Sequence, residues 1–206
     1  MFRSLLLFFV LFTASLSNLL ADNDLLDDIL EQKIIEDYEL LLVQKVTNDL
    51  LVNYKFYLES PNGYWGFLNE NFLHYWDFDA TTKALIGSEI FNSLSSLQFT
   101  ELSRTVEVTL IRYAFESLSL YGEQRLNLIN LKFNEQKTLA WLKINMDSPR
   151  FPDIHLDLLI KRTSASQWRG VDFRFKGITY INLKKNSYRQ DFKDFQFEGF
   201  LKKLDD

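Results

Sequence analysis

Two histidines, one carboxylate pair and a few scattered charges are what this chain offers for chemistry. His74 and His155 are far apart in sequence, and neither belongs to a His-Glu-x-x-His metal helix. A zinc site needs three or four ligands, so each histidine would need carboxylates brought in by the fold, and the simpler reading of both is structural or surface. The chain has no cysteine. That excludes disulfides, zinc–thiolate sites, a cysteine nucleophile and the lipidated cysteine of a bacterial lipoprotein. Seven glycines form no phosphate-cradling loop, and there is no Gly-x-Ser-x-Gly elbow. Asp77-Phe78-Asp79 is the most enzyme-like feature, because two carboxylates can divide acid and base work when their environments separate their pKa values. A carboxylate just ahead of a helical segment also suits an N-cap, accepting amide hydrogens of the first turn, and that reading is favoured. Asp157 shares a strand face with His155 and Lys161 and reads as solvated. No catalytic set, metal site or cofactor is expected.

The formal net charge is −5 over 206 residues. A nucleic-acid binder needs a basic footprint to displace counterions from phosphate, and no such excess exists. Charge alone would not hold the whole chain on an anionic membrane either. Hydrophobic residues make up 47% of the chain and aromatic ones 16%, so a full core can form. The aromatic bulk suits a lined pocket or a Phe-rich composition equally well.

The elements that would position these residues begin with an export signal. Arg3 is the basic tip, Leu5 to Phe12 is an unbroken apolar run, and Thr13-Ala14-Ser15-Leu16-Ser17 supplies small residues. The run is too short for a permanent span. Cleavage after Ala21 or Ser17 fits, and residues 1–21 are assigned to the signal. Residues 22–206 then form one domain whose first part, 22–60, is a helical segment.

From Asp24 to Tyr57, apolar residues recur every three to four positions, with a break expected near Thr47-Asn48-Asp49. Ser60-Pro61-Asn62-Gly63 reads as a turn. Short helices follow over Gly66–Tyr75 and Asp79–Ile86, the latter ending at Gly87 as a C-cap. Another helix starts at Ser95-Ser96 and runs to Tyr121-Gly122. The period then changes to two. Strands are expected over Gln124–Phe133, Leu139–Met146, Ile154–Lys161 and Trp168–Lys176, joined by turns at Asp147–Pro152 and Thr163–Gln167. The tail from Ile178 to Leu204 returns to helical spacing through Ile181, Tyr188, Phe192, Phe195, Phe200 and Leu204. Four consecutive strands with short links make an antiparallel meander with one apolar face. The class is α+β, with helices packed on the apolar face of a curved four-stranded sheet.

Several stretches resemble one family. Asp77-Phe78-Asp79-Ala80-Thr81-Thr82-Lys83-Ala84-Leu85-Ile86-Gly87 is similar to the Asp-Phe-x-x-Met-Ala-Arg-x-Val-Leu-Gly stretch of MlaC-type proteins. Tyr113-Ala114, Leu118 and Tyr121 resemble the end of the family's helix before its sheet. Trp168 to Thr179 resembles Trp-x-Val-x-Asp-Val-x-Ile-Glu-Gly-Val-Ser, and Phe197-Glu198-Gly199-Phe200-Leu201 resembles a closing Ile-Asp-Gly-Leu-Ile. The resemblance covers roughly Gly66 to Leu204. Lys176 reverses the charge of the family's Glu, Thr179 replaces Ser, Lys185 falls where many members have Arg, and Tyr188 replaces a Phe or Trp. These departures bear on partner contacts.

The resemblance implies a nuclear-transport-factor-like sheet with an apolar cavity for acyl chains, and a monomeric periplasmic phospholipid carrier. Its partners would be an outer-membrane lipoprotein–porin complex and an inner-membrane transporter with an MCE ring and an ABC engine. It would serve outer-membrane lipid asymmetry. The sheet wall of the cavity is then expected at Leu142, Ile144, Met146, Leu156, Leu158, Ile160, Val171, Phe173 and Phe175, and the helical wall at Tyr113, Leu118 and Tyr121. Periodicity alone gives the same residues as a filled core. Lys184, Lys185, Arg189 and Lys193 form a basic run that fits a phosphate, an acidic partner or a solvated helix face. An exported solid-core adaptor and a carrier of hopanoid-type lipid stay open, whereas an isomerase-type enzyme would need a carboxylate or histidine that this wall lacks.

Overall fold

The computed structural model describes residues 25–26, 28–119, 121, 123–147 and 152–205. The expected export signal over 1–21, Gly122 and residues 148–151, where a turn was expected, lie outside them. Contacts divide the chain into two units, Met1–Tyr38 and Glu39–Asp206. The first contributes helix α1 over 28–39, whose buried positions, Ile34 and Tyr38, keep the helical period. No described helix is long and apolar enough to cross a membrane.

The second unit opens with a π-helical stretch, Leu40–Thr47, which passes into α2 (Asn48–Glu59) without leaving helical backbone angles. The break expected at Thr47 is therefore a change of helix type. Its cause is visible at Thr47, whose hydroxyl donates to Leu42 O five residues back (2.8 Å) and accepts from Leu126 N (3.2 Å). One side chain thus closes the wide turn and satisfies an amide of the first strand.

The turn expected at Ser60–Gly63 is instead the start of α3 (Pro61–Asn71). Ser60 caps it by accepting from Gly63 N, and Pro61 occupies the first turn, where its missing N–H costs nothing. Helix α4 (Phe78–Ser93) does not end at Gly87. It kinks there, with Gly87 at φ 79° and ψ 171°, a backbone region essentially reserved for glycine, and then resumes. Helix α5 (Ser96–Leu118) starts where expected, in a capping box in which Ser95 and Gln98 satisfy each other's amides.

The strands are β1 (Arg125–Phe133), β2 (Leu139–Asp147), β3 (Ile154–Arg162), β4 (Trp168–Phe175) and β5 (Ile178–Thr179), in the order β1-β2-β3-β4-β5 and all antiparallel. The sheet therefore has five strands rather than four. Lys176 and Gly177, both at positive φ, turn the chain back so that Ile178 pairs with Phe175 before helix α6 (Tyr180–Asp205) begins. Bulges at Ile129 and Val171, each an extra residue against its partner strand, add twist to the two flanks of the β2–β3 centre. Helix α6 is itself kinked at Gln196 (φ 57°). The kink changes the helix phase, so Phe195 is exposed and Phe197 takes the core position instead.

The main core joins Trp76, α4, α5 and both halves of α6, with Leu85, Leu102, Val106 and Phe200 inaccessible to solvent. A second cluster holds Tyr57, Tyr64, Phe67, Leu68, Ile111 and Leu118. The helices approach the sheet at its sides. Helices α4 and α6 meet β4, and the π-helical stretch meets β1. Among the described residues, no helix backbone comes comparably close to β2 or β3.

Candidate functional site

The strand register places the expected sheet wall on one face, in rows. Leu131, Leu142, Leu158 and Phe173 form one row, and Leu128, Ile144, Leu156 and Phe175 the next. Leu126, Met146 and Ile154 form a shorter third row, while Ala140 and Ile160 lie at the opposite end. Burial is graded along these rows. Ala140, Leu142, Ile144 and Ile160 are buried, Met146, Ile154, Leu156, Leu158 and Phe173 are only half-buried, and Phe175 is 41% exposed. Val171 is buried at its bulge. The face therefore opens progressively from the Ile160 end toward Phe175.

The closed end is locked by Trp76. Its indole N–H donates to Thr81 Oγ1 (3.0 Å), and that hydroxyl donates to Val171 O (2.7 Å), while Asp77 N donates to Gly170 O (2.8 Å). Gly170 is required here: a Cβ at that position would lie 2.6 Å from the Trp76 ring.

Of the three expected helical residues, Leu118 and Tyr121 are neighbours, Tyr121 N donating to Leu118 O (3.1 Å), while Tyr113 packs elsewhere. Tyr113 lies on the main core, with its ring 6.3 Å from that of Tyr180, which in turn stacks on Phe173 at 5.4 Å. Leu118 belongs to the second cluster, and Tyr121 packs on Tyr54 at 5.3 Å. Burial pushes the Tyr180 and Tyr188 hydroxyls well up, and the two approach each other at 3.4 Å.

The polar residues singled out by the sequence prove to be local. Asp77 caps α4 by accepting from Ala80 N (2.9 Å), and Asp79 accepts from Ser103 Oγ (2.5 Å), so the two carboxylates serve separate elements. His74 and His155 are exposed. Asp157 is not simply solvated as expected, because the sheet register sets it opposite Arg174, which bridges to it at 2.6 Å and stacks over Trp141. The basic run is dispersed as well. Arg189 donates to Leu85 O (3.2 Å) and Ala84 O (3.4 Å), carbonyls at the Gly87 kink, and Lys185 donates to Asn182 Oδ1. Among the described residues, no cluster of His, Asp and Glu could hold a metal ion.

Sequence reasoning missed Asp172. This carboxylate is buried, accepting from Phe173 N (2.9 Å) and Ile181 N (3.1 Å), and it ties β4 to the first turn of α6. Burial pushes its carboxyl above the usual range, although hydrogen bonds from Ile181, Thr179, Phe173 and Tyr180 pull the other way. The signal was a lone carboxylate inside an apolar strand, between Val171 and Phe173.

Five antiparallel strands with kinked helices packed along their flanks define a class of α+β protein with an apolar, half-open sheet face. The same fold occurs in a phospholipid-binding protein from Ralstonia solanacearum, solved in complex with a phospholipid: TM-score 0.62, 15% identity, covering 78% of this chain and 94% of that one. No curated protein matches the chain. The family model for MlaC protein matches residues 42–206, and the chain belongs to the MlaC family.

Proposed function

We propose that this protein is a periplasmic phospholipid carrier that holds acyl chains between its helices and the inner face of its sheet. The observation that carries this reading is the graded face, on which large apolar side chains stay partly accessible although helices flank the sheet on both sides. Membership of the MlaC family and the phospholipid bound to the fold's relative support the same reading.

Carrying a lipid through water requires burying its tails. At about 0.8 kcal/mol per methylene, roughly 30 methylenes would cost about 24 kcal/mol if exposed. The wall is proposed as Leu142, Ile144, Met146, Leu156, Leu158, Ile160, Val171, Phe173 and Phe175, with Tyr113 on the helical side. Leu118 and Tyr121 contribute by fixing α5 against the second cluster. In this reading the sheet is a nuclear-transport-factor-like cone whose mouth lies at the Phe175 end. The protein makes and breaks no covalent bond. Direction comes from affinity differences between donor and acceptor, which are proposed to be an outer-membrane lipoprotein–porin complex and an inner-membrane MCE/ABC transporter, served by a monomer exported through its residue 1–21 signal.

A transfer assay tests this. Donor vesicles with a fluorescent phospholipid and the proposed outer-membrane complex, and acceptor vesicles with the proposed inner-membrane transporter, are separated by a barrier that passes protein but not vesicles. The protein is expected to speed transfer, and an unchanged rate contradicts the carrier reading.

A further inference from the structure

The chain is acidic overall, yet from Phe173 to Gln190 it contains Arg174, Lys176, Lys184, Lys185 and Arg189 and no Asp or Glu. Two of these cations are committed within the protein, Arg174 to Asp157 and Arg189 to the carbonyls at the α4 kink. Of the other three, Lys185 donates to Asn182 Oδ1, Lys184 lies over Tyr113, and Lys176 stands exposed at the turn before β5.

The same stretch of chain carries exposed apolar residues. The tight turn at Lys176-Gly177, with both residues at positive φ, sets Phe175 opposite Ile178. Phe175 is 41% exposed, Ile178 58%, and Leu183, at the start of α6, 66%. Lys176 Nζ lies 5.3 Å from the Phe175 ring centroid, and Lys184 Nζ lies 5.7 Å from that of Tyr113. The row of Ile144 and Leu156 continues through Phe175 to Ile178. The hairpin tip is thus continuous with the apolar inner face.

We propose that this tip and the first turns of α6 form a contact surface for an anionic phospholipid bilayer. The aromatic and aliphatic residues enter the headgroup boundary, and the lysines meet lipid phosphates. The chemistry favours a bilayer over a protein partner. A tight turn with exposed apolar residues and a lysine beside them suits a fluid interface, where long stems lie along apolar surface and their heads reach phosphate. The contact rests on the phospholipid-carrier reading and adds to it, since it would bring the mouth of the sheet face to the surface from which lipid leaves.

The test is co-sedimentation of the protein, purified from cells expressing the full chain, with phosphatidylcholine vesicles containing or lacking phosphatidylglycerol. Association is expected only with the anionic vesicles and should fall as salt rises. Lys176→Glu and Ile178→Ser are each expected to weaken it roughly tenfold, with circular dichroism spectra unchanged because both positions are exposed. Failure to bind anionic vesicles, equal binding to neutral ones, or no effect of either variant overturns the proposal. So does capture of an acidic protein by this face without vesicle binding. Lipid retained by the purified protein is quantified in parallel. Vesicle binding without retained lipid would sink the carrier reading and leave the contact standing, whereas retained lipid without vesicle binding would do the reverse.

Discussion

The carboxylates of this chain hold helix starts and strand–helix joints, and their energetics differ from those of catalytic groups. Asp77 accepts from Ala80 N at the start of α4. Asp77→Ala is expected to cost about 1 kcal/mol in urea unfolding, and Asp77→Asn only a few tenths, since asparagine caps nearly as well. Asp172 gives a pH signature. Its folded pKa is raised by burial, so its ionisation disfavours the fold. The stability tied to this group is fully present below its unfolded pKa and is lost as pH rises through the folded one. Unfolding curves of the wild type and Asp172→Asn should therefore diverge as pH rises above the ordinary carboxylate range, the wild type losing ground. A constant difference would contradict this account of Asp172. The cap at Asp77 was legible because an acidic residue preceded a periodic segment. The role of Asp172 was not, because the amides it accepts from belong partly to the next element, a relation that only the folded β4–β5 turn creates.

At the scale of elements, the two-residue period set the limits of β1 to β4 to within a residue, although bulges at Ile129 and Val171 interrupt it. Strand β5 escaped because two residues cannot show a period. The kinks at Gly87 and Gln196 escaped for the opposite reason: the helical pattern resumes after each, so the sequence reads as one helix or as an end. Gly87 is the sharper case. Its backbone angles suit glycine alone, and a Cβ there would sit 2.9 Å from the Arg189 guanidinium that caps the freed carbonyls. Gly87→Ala is expected to destabilise the protein by about 1–3 kcal/mol, read as a lower urea midpoint. An effect within a few tenths would show that the kink can relax into a continuous helix. The sheet half of the candidate site was readable from alternation. Its helical half was not, because α5 serves two clusters and spacing does not say which one a given residue joins, as the separation of Leu118 and Tyr121 from Tyr113 shows.

For the whole molecule, the claim is that an apolar sheet face flanked but not filled by helices holds acyl chains. Leu156 sits on the half-open row between Ile144 and Phe175. Leu156→Trp adds bulk where the account places lipid. It is expected to leave unfolding within about 1–3 kcal/mol of wild type, the range for overpacking, while most of the lipid retained through purification is lost. Retention at the wild-type level would move the binding surface off this face. The most direct measurement is native mass spectrometry of the protein purified from cells without detergent, with identification of whatever the complex releases. The account predicts a stoichiometric adduct that releases phospholipid. Protein that flies only as the bare chain, and that takes up no lipid after incubation with phospholipid vesicles, would contradict it.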